Sequence, residues 1–185
     1  RSVQRAQCYA TSNKRDLLAD LAPAIEALAC PSACLILCWV TNNRRVQSFA
    51  EETLFSRIGA VPIGRWYWAK LSASGEWAQA GADPHSPHRK PWEPLLLGLI
   101  GGDPASLGLP TRLVFCSVPG QHSAKPSLEQ LLAGAAPALL GEPEGDQAKA
   151  WSMLPKFEGF ARCVRQGWTT AGNEVLHGNF AGDEI

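Results

Sequence analysis

The eight residues of 33–40, "ACLILCWV", limit most strongly what this chain can fold into. A continuous apolar run of this length, rich in strand formers, reads as a strand covered on both faces. It falls well short of the ~20 apolar residues of a membrane span, and no other run approaches that length, so no membrane partner is expected. A strand buried on both sides needs helices to cover it, and the flanking sequence supplies them.

Residues 12–29, "SNKRDLLADLAPAIEALA", carry Leu17, Leu18, Leu21, Ile25 and Leu28 at helical spacing behind Ser12 and Asn13 as caps. Pro23 weakens the middle and is a candidate break into two pieces. Residues 42–60, "NNRRVQSFAEETLFSRIGA", form a second amphipathic helix with Val46, Phe49, Leu54 and Ile58 on its apolar side. "VPIGRWYWAKL" (61–71) reads as an aromatic strand, and "EPLLLGLIG" and "TRLVFCSVPG" as two more. "SLEQLLAGAAPALL" (127–140) is a helix capped by Ser127, and "KFEGFARCV" and "GWTTAGNEVL" close the chain as strands. Residues 72–92 form a long Gly-, Ser- and Pro-containing loop, a length that usually serves function. Residues 141–150 are a charged excursion.

Alternating strands and helices predict an α/β sheet, packed on both faces and mostly parallel, within one domain of 185 residues. Ligands of such sheets bind beyond the carboxyl ends of the strands. That rule singles out Thr41 and Asn42, the stretch Ser117 to Lys125, and Arg162.

Seventeen basic residues balance seventeen acidic ones, so a nucleic-acid or other charged partner must be met by local patches. Arg44-Arg45 and Arg89-Lys90 are such pairs, and a solvated surface explains them equally simply. The six cysteines show no C-x-x-C pair and no His at finger spacing, so buried free thiols in a reducing compartment are expected and a metal site is not. No dinucleotide fingerprint, P-loop or G-x-S-x-G elbow occurs. Ser117, His122 and Ser123 invite a hydrolase reading, but nothing near them supplies the orienting acid.

Several groups suit a nucleoside ligand. A carboxylate such as Glu158 can accept both hydroxyls of a ribose, and Lys125 can meet a carboxylate at the start of a helix. Trp66, Tyr67 and Trp68 are aromatics on which a base could stack. Taken singly, Glu158 and Lys125 are also ordinary solvated charges.

Read together, "CWVTNNRR", "RWYWAKLSASGEW", "DPHSPHRKPWEPLLLG", "CSVPGQHSAKPSLEQLL" and "EGFARCVRQGWTTAGNEVL" resemble, in the same order, the adenine N6-methyltransferases of the messenger-RNA methylation family. The resemblance covers nearly the whole chain. It implies a Rossmann-like methyltransferase fold with permuted motif order, S-adenosylmethionine as cofactor, and an adenine in RNA or DNA as target. It also implies an intracellular, nuclear setting and the option of a sister methyltransferase subunit. On the cofactor side it implies Lys125, Glu158, Phe160, Arg162, Asn173 and Glu174. On the target side it implies Thr41, Asn42, Trp66, Trp68, Lys70, His88, Lys90 and Glu93, with residues 72–92 as a recognition loop and 141–153 as an insertion. The family's catalytic Asp-Pro-Pro-Trp would fall just before Arg1, so residues 1–185 alone are expected to be an inactive, N-terminally truncated domain. Two departures stand out: Cys163 replaces a polar residue and Gly159 a large one. The rival reading is a non-catalytic partner subunit that keeps the fold and binds nucleic acid.

Overall fold

The computed structural model of the chain describes residues 14–79, 81, 83–85, 90–120, 125–129, 131–132, 154–161, 164–172 and 175. Contacts group the chain into two units, Arg1–Trp66 with Glu93–Gly102, and Tyr67–Trp92 with Asp103–Ile185. Among the described residues the architecture is mixed α/β.

In the first unit, α1 (Lys14–Leu28) runs unbroken through Pro23. Proline removes the hydrogen bond to the carbonyl four residues back, that of Ala19. Ala19 and Pro23 are both exposed, so water can take up the freed carbonyl. Leu21, Ala22 and Ile25 face inward and join β1 (Cys34–Trp39) through Ile36 and Cys38, with Val40 just beyond the strand.

Asn43 starts α2 (Arg44–Ser48): its side-chain oxygen accepts the Arg45 backbone N–H at 2.9 Å. The helix then widens into a π turn over Phe49–Leu54, where Phe55 N–H reaches back to the Ala50 carbonyl, and tightens again as α3 (Phe55–Arg57). Ala50, Leu54, Phe55 and Ile58 are buried in the same core as Leu96. Each large side chain removed from water here contributes roughly 1.5–3 kcal/mol. Arg65 of β2 (Val61–Lys70) holds the π turn from the side, its Nη2 donating to both oxygens of Glu51 at 2.7 and 2.6 Å.

The four-stranded sheet runs in the order β1-β3-β2-β4, with β3 at Trp92–Ile100 and β4 at Arg112–Ser117. Leu95 through Leu99 are buried without interruption, as an inner strand requires. The expectation of a mostly parallel sheet needs correction, because β1 and β3 pair antiparallel, from Cys34 opposite Ile100 to Trp39 opposite Leu95. Parallel pairs need a long crossover, and the helix–strand alternation stops at β2. From there β2, β3 and β4 follow one another with no α-helix between them among the described residues.

In the second unit, the expected loop after β2 begins as an ordered reversal. Leu71 bridges Trp77, Ser72 N–H donates to the Glu76 carbonyl at 2.7 Å, and Ala78 N–H to the Lys70 carbonyl at 2.9 Å. Leu71 N–H also donates to the carbonyl of Ser117 at 3.1 Å, which joins the ends of β2 and β4. Beyond β4, Ser127 caps a helical turn by accepting the Glu129 N–H, and Leu128 and Leu132 are buried. The excursion at 141–150 lies outside the described residues. The last two predicted strands are short, β5 (Phe157–Gly159) and β6 (Thr169–Ala171), and they pair parallel as a sheet of their own.

Candidate functional site

The second unit gathers most of the chemistry. β5 presents Glu158 in register with Thr170 of β6. The ladder continues one step past β5, where Ala161 N–H donates to the Ala171 carbonyl at 2.9 Å. This closeness explains Gly172: a Cβ there would lie 2.2 Å from the Ala161 carbonyl oxygen. The glycine before Asn173 therefore makes room for a neighbouring strand's backbone. Phe160, between Glu158 and Ala161, holds a left-handed φ of 58° and is largely exposed. An aromatic residue rarely adopts that conformation, and such outliers concentrate at ligand sites.

Between β5 and β6 the chain turns at Arg165, whose carbonyl accepts the Trp168 N–H at 3.1 Å. The turn points the Arg165 side chain at Glu158. Arg165 Nε donates to Glu158 Oε2 at 2.7 Å, and Arg165 Nη2 donates to the carbonyl of Lys125 at 2.7 Å. Lys125 and Glu158, 33 positions apart in sequence, are thus held on one guanidinium. Sequence reasoning missed Arg165, which looks like a polar spacer in "CVRQG"; nothing in its local pattern marks it out. Behind it, the mostly buried Lys156 ammonium pairs with Glu129 at 3.3 Å.

Lys125 also reaches Trp68, its Nζ 5.6 Å from the ring centroid, while Lys70 Nζ lies 4.9 Å from the same ring. Such approaches are attractive through the ring quadrupole and fix the ammonium groups in place. Lys90 makes the same contact with Trp92 at 4.8 Å. Trp68 itself is fully buried, and so is Trp66 in the first unit, which leaves neither ring an open face for stacking a base. Alternate positions on a strand share a face, so their common burial follows from spacing.

The remaining expected target residues are placed as follows. Thr41 is exposed and supports the start of α2: its hydroxyl accepts the Asn43 N–H at 3.3 Å and its carbonyl the Gln47 side-chain amide at 2.9 Å. Asn42 and Glu93 are half-buried in the first unit, and Arg44 and Arg45 are exposed there. His88, Arg89, Arg162, Cys163, Asn173 and Glu174 lie outside the described residues, as do His122 and Ser123 of the hydrolase reading. The Ser117 hydroxyl is buried without a hydrogen-bond partner.

Cysteine chemistry is graded along the first unit. Cys30 is exposed rather than buried, and its hydrogen bond with the Ser32 hydroxyl at 3.0 Å holds its thiol below the ordinary value. Burial raises Cys34 and pushes Cys38 up to about 11. Cys116 on β4 is likewise exposed, and these four thiols are free. Among the described residues no group of three His, Cys, Asp or Glu could hold a metal, and no helix is long and apolar enough to cross a membrane.

The last strands of this mixed α/β chain bring an arginine and a carboxylate together, and sequence comparison gives the family. Residues 2–174 match the MT-A70 family, and the chain belongs to it. It is 33% identical over 162 residues to the N(6)-adenine-specific methyltransferase METTL4 of Homo sapiens, covering 82% of this chain and 30% of that protein. The METTL4 of Mus musculus is 30% identical over 186 residues, 95% of this chain and 35% of that protein. The N6-methyladenosine RNA methyltransferase MTA1 of Pyricularia oryzae is 32% identical over 171 residues, 90% of this chain and 40% of that protein. The chain therefore spans about a third of the length of the METTL4 relatives it matches.

Proposed function

We propose that the protein is an S-adenosylmethionine-dependent methyltransferase acting on the N6 amine of adenine in nucleic acid. The family match across residues 2–174 carries this reading. The fold belongs to the same proposal, as a Rossmann-like methyltransferase domain with permuted motif order, and so does an intracellular, nuclear setting.

The donor set suits the cofactor. Lys125 offers a cation to its carboxylate, and Glu158 offers oxygen acceptors to its ribose hydroxyls, the two tied together by Arg165. Phe160, Arg162, Asn173 and Glu174 complete the proposed cofactor side. The cofactor supplies an electrophilic methyl group on a sulfonium. The N6 lone pair of adenine is delocalised into the ring and nucleophilically weak, so the protein's contribution is positioning and electrostatics. Lys125, steadied against Trp68, fixes one end of the donor, and Glu158 fixes its nucleoside.

On the target side, Thr41, Asn42, Lys70, His88, Lys90 and Glu93 are proposed to meet the nucleic acid, with 72–92 as the recognition loop. Trp66 and Trp68, proposed for the same side from the family resemblance, are fully buried, so a part in stacking a base is not proposed for them. In a structured substrate the adenine must first leave its stack. RNA is the substrate class in the MTA1 relative's name.

The test is cofactor titration and methyl transfer to an adenosine-containing oligonucleotide with the full-length protein. Tight binding weakened about tenfold by Lys125→Ala, with N6-methyladenine in the product, supports the reading. Binding indifferent to Lys125→Ala, or no cofactor binding, removes it. The alternative is a non-catalytic nucleic-acid-binding or partner subunit. It predicts oligonucleotide binding without methyl transfer.

A further inference from the structure

Among the described residues, Arg165 touches both ends of the proposed donor shell, and nothing in the sequence marks it for that role. Its guanidinium serves two acceptors. Nε is committed to Glu158 Oε2 and Nη2 to the carbonyl of Lys125, each at 2.7 Å. The Glu158 side chain is 27% exposed and the Arg165 side chain 21%, so the pair sits at a partly desolvated margin where a charge-assisted hydrogen bond holds geometry well.

We propose that Arg165 is a positioning residue for the cofactor: it fixes the Glu158 carboxylate toward the ribose and anchors the Lys125 backbone so that the ammonium meets the cofactor's carboxylate. The inference rests on the functional reading above and extends it to a residue that acts through two others. Three observations carry it.

The first is reach. Lys125 lies eight residues beyond β4, while Glu158 is on β5, and Arg165 closes a separation of 40 residues in one step. The second is stoichiometry. Among the described residues the bond from Arg165 engages one carboxylate oxygen, Oε2, and Oε1 of the same oriented group can face a ligand's hydroxyls. The third is rigidity at the base. Arg165 sits in the turn closed by its own carbonyl and Trp168, one residue before β6, and the neighbouring Thr169 N–H is bonded to the Lys156 carbonyl at 2.8 Å. A planar fork with fixed donors can serve the two acceptors together; an ammonium on a flexible stem cannot hold both in the same geometry.

The experiment measures cofactor binding by calorimetry, and KM and kcat for methyl transfer, in full-length wild type, Arg165→Ala, Arg165→Lys, Glu158→Gln and the Arg165→Ala/Glu158→Gln double variant. Arg165→Ala is expected to weaken cofactor binding about tenfold or more and to raise its KM while changing kcat little. Arg165→Lys should recover only part of the loss. The double variant should be no weaker than the worse single variant, because both changes remove the same oriented carboxylate. A merely structural role would instead lower the unfolding midpoint and leave the KM unchanged. Should Arg165→Ala fail to fold, Arg165→Lys and Glu158→Gln decide by the same comparison. Wild-type binding with Arg165→Ala or Arg165→Lys within twofold of it overturns this inference alone. So does a fully multiplicative double variant. Absence of cofactor binding by the wild type overturns the functional reading, and this inference falls with it.

Discussion

The ring of Phe55 lies directly against Gly98, so close that a Cβ on residue 98 would sit 2.9 Å from Cε2 and 3.1 Å from Cδ2. The helix after the π turn therefore packs on β3 at a point where the strand has no side chain. Gly98→Ala is expected to destabilise the protein by roughly 1–3 kcal/mol, the usual cost of overpacking. Denaturant unfolding measures the loss, and Phe55→Leu in the same background should recover part of it. A neutral Gly98→Ala would contradict the packing described.

Gly172 meets a harder obstacle, because its neighbour is the Ala161 backbone. Gly172→Ala should unpair β6 from the end of β5, since the main chain cannot give way as a ring can. Faster amide hydrogen exchange at Ala161 than in the wild type checks this, with global stability as the control. Unchanged protection there would disprove the close approach.

Arg65 and Glu51 form a partly buried pair that ties β2 to the π turn. Removing one partner takes a charge-assisted bond from the other at a partly buried position, so Arg65→Ala and Glu51→Gln should each destabilise by about 1–3 kcal/mol. A double-mutant cycle should return a coupling of about 1 kcal/mol or more. Additive losses would show the two residues to be independent.

Cys38 gives the folded protein an alkaline limit. Burial moves its thiol from the ordinary 9.0 up to about 11, so between these values the unfolded chain releases a proton that the folded chain keeps. Stability from this group is complete below about pH 9, declines as pH rises and is gone above about pH 11. Cys38→Ala should lower stability at neutral pH yet flatten its fall across that window, as read by urea unfolding at several alkaline pH values. Alkylation at neutral pH should reach exposed Cys30 well before Cys38.

Much of the strand framework was readable from residues. The apolar runs at 33–40 and 93–101 located β1 and all of β3 but Trp92, yet only β3 is buried as expected, from Pro94 to Leu99. β1 stands at the end of the strand order and is half-buried along its length, so the expected cover on both faces is not met there. Strand partners were not readable, since the antiparallel pairing of β1 with β3 depends on how the chain returns rather than on either run. Pro23 misled for a related reason: its penalty depends on whether the Ala19 carbonyl can reach water, which is a tertiary fact. At the candidate site, Lys125, Glu158 and Arg165 all stood in strings with a family likeness, but the bond of Arg165 to a carbonyl 40 residues away leaves no periodic trace. Trp66 and Trp68 carried a usable signal, the two-residue spacing that puts both on one face, but aromatic character alone suggested a base platform.

The π turn at Phe49–Leu54 also works as a phase shifter. An α-helix advances about 100° per residue, so a single extra residue turns everything after it by about that angle relative to what came before. Val46 ahead of the turn and Phe55 and Ile58 beyond it meet the same core only because that rotation has been inserted. Deleting one residue from this segment would leave a longer and more regular helix, with either Phe55 or the Glu51–Arg65 pair swung away from its partner. Along this stretch, the unit of inheritance is the count of residues as much as their identity.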